Sequence, residues 1–479
     1  MFKHLVIFIF FNALSSIALA DYKKDIGYKL LIQELGSKTP TGKGVVVAQA
    51  EPSGKNSAYM PNIENPAFKN KIIIDQSSPL ALGPYSGHAT GSGKLFFGNN
   101  ALAKGIKEAN CYSTNDWLTT GYLNADRRTL EPKAVNDRIA NHSWIGGVEN
   151  ESTVLNILKR IDWVINRDEF IQAVGIKNNA TTNSPMLSAA FNVIAAGKTD
   201  GKNGRSTKLL DTTYVAGRTR PHLVVPVGTS SAATPIVASA IALLIETGHN
   251  NPELSTDPEE KYTKNRKGDM IFNAERSEVI KAALMAGADK KTNNSTKLKD
   301  DTLNNITDYR GEQKYHSTNG LDIRYGAGQL NIHNSYKIIS GGEQNNKQDH
   351  PENKGAISKY GFDYDPSFGD ESKTSSYFFS TDSSPSSLSV SLVWNVDINK
   401  GKTIYFPGKS KFYNLNLSLY SLNGDSKTLV AESASEVNNS ENISIMLEPN
   451  SNYLIQVNAD SKQAPFEWDF AIAWQITNS

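Results

Sequence analysis

Two rhythms of apolar positions divide this chain. Up to about Ser340, unbroken apolar runs of strand length, Val45–Ala50, Phe170–Ile176 and Asn192–Gly197, alternate with helical stretches at Pro235–Thr247 and Ser277–Ala286. Runs that are apolar at every position belong to strands covered on both faces. The pattern therefore predicts a mostly parallel sheet between layers of helices. Across 341–357 the chain turns polar and charged (Glu343, Asn345, Asn346, Lys347, Asp349, His350, Glu352), the composition of a linker. Beyond it the period becomes two, at Leu388–Trp394, Leu415–Tyr420, Tyr453–Val457 and Trp468–Trp474, with an Asn423-Gly424 turn signal. That spacing predicts an antiparallel β-sandwich over 358–479. The expected organisation is an α/β domain over 21–340, the linker, and the sandwich.

The first residues stand apart. Lys3 and His4 precede the apolar stretch Leu5–Leu14, and Ala18-Leu19-Ala20 precedes Asp21. A positive start, a short apolar stretch and a small-x-small close are those of a signal peptide over 1–20, so the mature chain is expected to be exported, either secreted or periplasmic. No later segment reaches the ~18 apolar residues of a membrane span. The formal net charge of +1, with no basic tract, argues against nucleic acid as a partner. A single cysteine, Cys111, excludes an internal disulfide, so stability must come from core size. Nothing in the sequence fixes an oligomeric state.

Five segments carry candidate chemistry. Gly228-Thr-Ser-Ser-Ala-Ala-Thr-Pro-Ile-Val-Ala238 runs into an apolar stretch ending at Ile245. It predicts a loop delivering a hydroxyl to the N-terminus of a buried helix, with Pro235 in the first turn. There the helix dipole and free N–H groups can stabilise an oxyanion. Val45–Glu51 is a buried strand ending in a carboxylate. Ser86-Gly-His-Ala-Thr-Gly91 sets a histidine among small residues at the start of a helical run to Phe97. Asn141-His-Ser-Trp-Ile-Gly-Gly147 reads as a strand ending in glycines. Gln172-Ala-Val-Gly-Ile-Lys-Asn-Asn179 reads as a strand whose tip carries two carboxamides.

The order acid, histidine, serine, with these local sequences, resembles the subtilisin-like serine peptidases. The resemblance covers roughly Lys43–Lys337. It rests on Val47-Ala-Gln-Ala-Glu51, His88-Ala-Thr-Gly91, Asn192-Val-Ile-Ala-Ala-Gly197, the serine segment and Tyr325-Gly-Ala-Gly-Gln-Leu-Asn331. Val390-Ser-Leu-Val-Trp394 is similar to strands of the sandwiches that follow the catalytic domain in larger members. It implies a subtilisin-like three-layer fold, a protein or peptide substrate, and a triad of Glu51, His88 and a serine. The family's acid is normally Asp; Glu51 stands at the matching position. The serine is Ser230 by the preceding Gly228-Thr229 and Ser231 by the phase of Ala233, Pro235, Val237 and Ala238. Helix phase favours Ser231, because one position is ~100° around the axis. The oxyanion carboxamide is Asn178, nearer the strand, or Asn179. Segments Asn141–Gly147 and Gln172–Gly175 would pair with extended substrate, with Asn141, Ser143, Trp144, Gly146 and Gly175 as contacts. No cofactor is expected and no metal-ligand spacing appears; calcium is common in the family, but the sequence locates no site. The alternative is a catalytically impaired scaffold of the same fold, used for binding or adhesion.

Overall fold

The computed structural model describes residues 21–479 except 55–56, 79, 82–83, 149, 180, 184–185, 259, 291–297, 300–304, 307–312, 347–355, 370–373, 408–409, 425, 465 and 479. The expected signal peptide, 1–20, lies outside the described residues.

Seven strands form one sheet: β1 (Val47–Glu51), β2 (Ile72–Asp75), β3 (Glu108–Ser113), β4 (Ile139–His142), β5 (Ile171–Gly175), β6 (Ile194–Lys198) and β7 (Leu223–Val225). Their order is β2-β3-β1-β4-β5-β6-β7, and every pairing is parallel. Alternate residues feed two cores. Val47, Ile139, Ile171, Ala173 and Ile194 face one. It is closed by α1 (Tyr22–Asp25), α2 (Tyr28–Leu35), α3 (Gly87–Phe96), α6 (Ser230–Asn250), α7 (Ser277–Ala286) and α8 (Ile332–Ser340). Ala48, Ala50, Ala140, Val174 and Ala195 face the other, under α4 (Thr114–Leu118) and α5 (Glu151–Asp168). Because both faces are covered, the strands read as continuous apolar runs. The fold is thus a three-layer α/β domain with a parallel sheet, as the hydrophobic pattern predicts.

Two expectations change in detail. Asn141–Gly147 is not one strand: β4 ends at His142, opposite Val174, and 143–148 continue without a ladder partner. Helix α6 starts at Ser230, one turn earlier than expected, because Thr229 caps it by accepting the Ala232 N–H. Pro235 is therefore inside the helix, where it has no N–H to give the Ser231 carbonyl four residues back. By length and composition α6 could cross a membrane, but its side chains fill the domain core.

Two small ribbons follow, β8 (Tyr262–Lys264) with β9 (Met270–Phe272) and β10 (Leu298–Lys299) with β11 (Asn305–Ile306). The C-terminal part is a sandwich of two four-stranded antiparallel sheets. Its strands are β12 (Tyr360–Phe368), β13 (Thr374–Ser380), β14 (Ser386–Val393), β15 (Leu415–Asn423), β16 (Ser426–Ser433), β17 (Ser440–Leu447), β18 (Asn452–Ala459) and β19 (Trp468–Asn478). The orders are β12-β19-β14-β17 and β13-β18-β15-β16. Along β19, Phe470, Ile472 and Trp474 fill the sandwich, while Ala471 and Ala473 turn outward into the core of the α/β domain. Phe362, Tyr364 and Val393 join them there, against α7 and α8. The Val396 N–H donates to Asn192 Oδ1 at 2.9 Å, and Gln475 Nε2 to the Ala286 carbonyl at 2.8 Å. The start of the expected linker is tied down as well. Glu343 is buried and its carboxylate accepts the Asp257 N–H at 2.7 Å, while the Gln344 N–H reaches the Phe362 carbonyl. Residues 347–355 of that segment lie outside the described residues.

Candidate active site

The chain adds β2 and β3 on one side of β1, then crosses to add β4 to β7 on the other. The carboxyl end of β1 is therefore the point where strand order reverses, the usual place for a ligand crevice in an open parallel sheet. Glu51 is the last residue of β1 and is 1% exposed. Gln49 and Glu51, two apart, project from the same face toward α3. Gln49 Nε2 donates to the Ala89 carbonyl at 2.9 Å, pinning the first turn of that helix. Ser86 caps the helix by accepting the Ala89 N–H, which sets His88 in the first turn.

His88 Nδ1 and Glu51 Oε2 are 2.7 Å apart. The ring remains 19% exposed, with its other nitrogen, Nε2, opposite the bonded one. Burial presses the His88 pKa down, but the Glu51 charge and its hydrogen bond outweigh this and hold it above the ordinary histidine value. A carboxylate at Nδ1 also fixes the neutral ring as the Nδ1–H tautomer, leaving Nε2 as the base.

The two adjacent serines differ sharply. Ser230 is 1% exposed and donates its hydroxyl to the Ile176 carbonyl at 2.6 Å, so its proton is committed to the end of β5. Ser231 is half-buried at the open end of α6, which packs against α3. Around it the helix N-terminus is partly used. The Ser230 N–H goes to Asn178 Oδ1 at 2.8 Å and the Ala232 N–H to Thr229 Oγ1 at 3.2 Å. Among the described residues the Ser231 N–H, between them, has no acceptor, and no hydrogen bond joins the Ser231 hydroxyl to His88. Catalytic hydrogen bonds are often long before substrate arrives.

The two candidate carboxamides separate in the same way. An N–H can only donate, so the Asn178 atom facing Ser230 must be Oδ1, which leaves Nδ2 available to donate elsewhere. Asn179 is exposed, and its Oδ1 accepts the Thr181 hydroxyl at 2.7 Å, a turn contact.

The expected substrate contacts fare differently. Asn141 is 0% exposed and faces α6 from β4; Ser143 and Trp144 are also buried. The Asn141 side chain lines no open cleft, because β4 is a central strand covered on both faces. Gly146 is buried within the 143–148 segment, whose Ile145 and Gly147 are half-buried. Gly175 ends β5, and a Cβ there would come 3.4 Å from the His142 carbonyl and from Thr234 Oγ1. Next to Asn141, His142 is enclosed on the opposite face, 4.4 Å from the Trp117 ring, with its pKa pushed down to about 4 by burial. The Gln49 brace and the Ser230–Ile176 bond had no sequence signature, since both run to backbone carbonyls.

Among solved structures, the patellamide maturation protease PatA is similar at 16% identity over 63% of this chain and 98% of that one, with a TM-score of 0.38. MycP1 from the ESX-1 type VII secretion system is similar at 12% identity over 70% and 90%, with a TM-score of 0.36. The pre-peptidase C-terminal domain of collagenase from Bacillus anthracis is similar at 12% identity over 24% of this chain and 87% of that one, with a TM-score of 0.17. No protein-family profile matches the chain, and no curated protein matches it.

Proposed function

We propose that this chain is an exported serine endopeptidase in which Ser231 is the nucleophile, His88 the general base and acid, and Glu51 the group that orients His88. His88 Nε2 takes the Ser231 proton as the hydroxyl oxygen attacks a peptide carbonyl. His88 then protonates the leaving amine, and water hydrolyses the acyl-enzyme by the same steps in reverse order. The tetrahedral oxyanion lies between the Ser231 N–H and Asn178 Nδ2. Glu51 accepts from Nδ1–H throughout and stabilises the imidazolium formed in each half-reaction. The extra methylene of a glutamate is accommodated by the end of β1, which still brings its carboxylate to 2.7 Å from the ring.

The observation that carries this reading is the Glu51–His88 pair, with His88 on α3, a helix packed against α6, whose first turn keeps the Ser231 N–H unengaged among the described residues. The unformed Ser231–His88 hydrogen bond is what a binding scaffold of this fold would also show. The two readings part in one experiment: the mature wild-type chain is incubated with denatured casein and new N-termini are mapped by mass spectrometry. Cleavage by wild type and its loss in Ser231→Ala are expected; equal peptide patterns from both proteins would leave the scaffold.

A further inference from the structure

Glu51 spends one carboxylate oxygen on His88. Among the described residues the other, Oε1, is buried without a donor. The next residue is Pro52, so the backbone that follows offers it no N–H. Two further buried polar atoms without partners belong to the same neighbourhood, Gln49 Oε1 and Asn141 Nδ2. Gln49 precedes Glu51 by two residues, and Asn141 stands directly opposite Gln49 on β4. Partners in a parallel ladder project to the same side, here the side of Val47 and Ile139, beneath α3 and α6.

The oxygen of the Asn141 carboxamide is already engaged: its Oδ1 accepts the Ser143 hydroxyl at 3.0 Å. Ser143 is two residues further along, level with Glu51 in the register that pairs Gln49 with Asn141. The other arm, Nδ2, is left as a buried donor one strand from Glu51 and two residues out of level with it. A donor and an acceptor on the same covered face, both shut away from solvent, can be bridged by one water molecule, which accepts from the first and donates to the second. Buried polar groups are rarely left unmatched.

We propose that Asn141 is a positioning residue for Glu51. One buried water accepts from Asn141 Nδ2 and donates to Glu51 Oε1, and so holds the carboxylate that orients His88. This rests on the peptidase reading above, and it moves Asn141 from a substrate contact to a brace behind the acid. A glutamate has one more free torsion than an aspartate, so a fixed partner at its second oxygen does more here than it would on a shorter side chain.

The test uses the mature full chain with Asn141→Leu, which keeps the forked shape in a larger side chain and removes the donor. Expected is a fall in kcat of about ten- to a hundredfold at unchanged KM, by analogy with the loss seen when the outer partner of a metal-bound histidine is removed. The acid midpoint of kcat/KM should also move down toward the ordinary histidine value. Asn141→Ser, which returns a hydroxyl donor, recovers part of both. A packing fault alone would lower Tm and leave the midpoint where it was. A second measurement needs no turnover: the His88 ring is titrated by NMR in Ser231→Ala with and without Asn141→Leu, and its midpoint should drop. Unchanged midpoint and unchanged kcat would overturn the proposal. An inactive wild type whose His88 midpoint still responds to Asn141→Leu would instead overturn the peptidase reading and keep the brace.

Discussion

Asn178 Oδ1 accepts the backbone N–H of Ser230 at 2.8 Å, the residue immediately before the half-buried Ser231. This one bond joins the tip of β5 to the start of α6. The other arm of that carboxamide, Nδ2, and the Ser231 N–H are the two oxyanion donors proposed above, and removing either should weaken the same transition state.

Asn178→Ala should therefore lower kcat by about 10²–10³ with little change in KM, the usual cost of one oxyanion donor. Asn179→Ala should leave both constants near wild type, because that side chain only closes a turn with Thr181. Steady-state kinetics on one peptide substrate compares the two variants. Equal losses would place the donor elsewhere.

The pH profile follows from His88. The ring must be neutral to accept the Ser231 proton, and Glu51 holds its pKa above the ordinary value despite burial. Activity should therefore be lost as pH falls, with the acid midpoint of kcat/KM above the ordinary histidine value of 6.5. In Glu51→Gln the counter-charge is gone and burial alone remains, so the midpoint should fall below that value. Turnover should also drop by about 10⁴ while the fold is kept, since an amide at Nδ1 no longer selects the working tautomer. Far-UV circular dichroism checks the fold.

The sandwich should be needed by the α/β domain. Phe362, Tyr364 and Val393 are each no more than 2% exposed and lie in the core shared with α7 and α8. Burying side chains of this size contributes roughly 1.5–3 kcal/mol each, against a total stability of about 5–15 kcal/mol for a domain. A chain ending at Asn346 should be aggregated or rapidly digested under limited proteolysis. A soluble, protease-resistant and active fragment would refute the shared core.

Much of this architecture is legible in the hydrophobic pattern, because burial on two faces leaves a direct trace in composition. Helix α7 has the bounds its apolar run predicts, and β14, β15, β18 and β19 fall on the alternating segments. Strand β12 escapes the pattern. It places Asp363 and Asp365 in the interior, where the Tyr377 hydroxyl donates to the first and the Ser375 hydroxyl to the second, and the run no longer alternates. Strand β16 escapes for the opposite reason: it is a sheet edge, exposed on both faces along most of its length. At the site, residue types and order bring Glu51 and His88 into view, and helix phase favours Ser231 over Ser230; what escapes is where α6 begins. That in turn depends on the Thr229 cap, a one-residue decision that the apolar run starting at Pro235 does not record. Asn141 enters the expected substrate contacts through the family resemblance alone, which carries no information on burial. Its burial is visible only once α6 is laid over β4.

Covalent capture of the nucleophile tests the central claim most directly. The mature wild-type chain, Ser230→Ala and Ser231→Ala are each treated with a fluorophosphonate probe, and the modified residue is mapped by mass spectrometry. The account predicts adducts on Ser231 in wild type and in Ser230→Ala, and none in Ser231→Ala. An adduct on Ser230, or no adduct on a wild type shown to be folded, would contradict it.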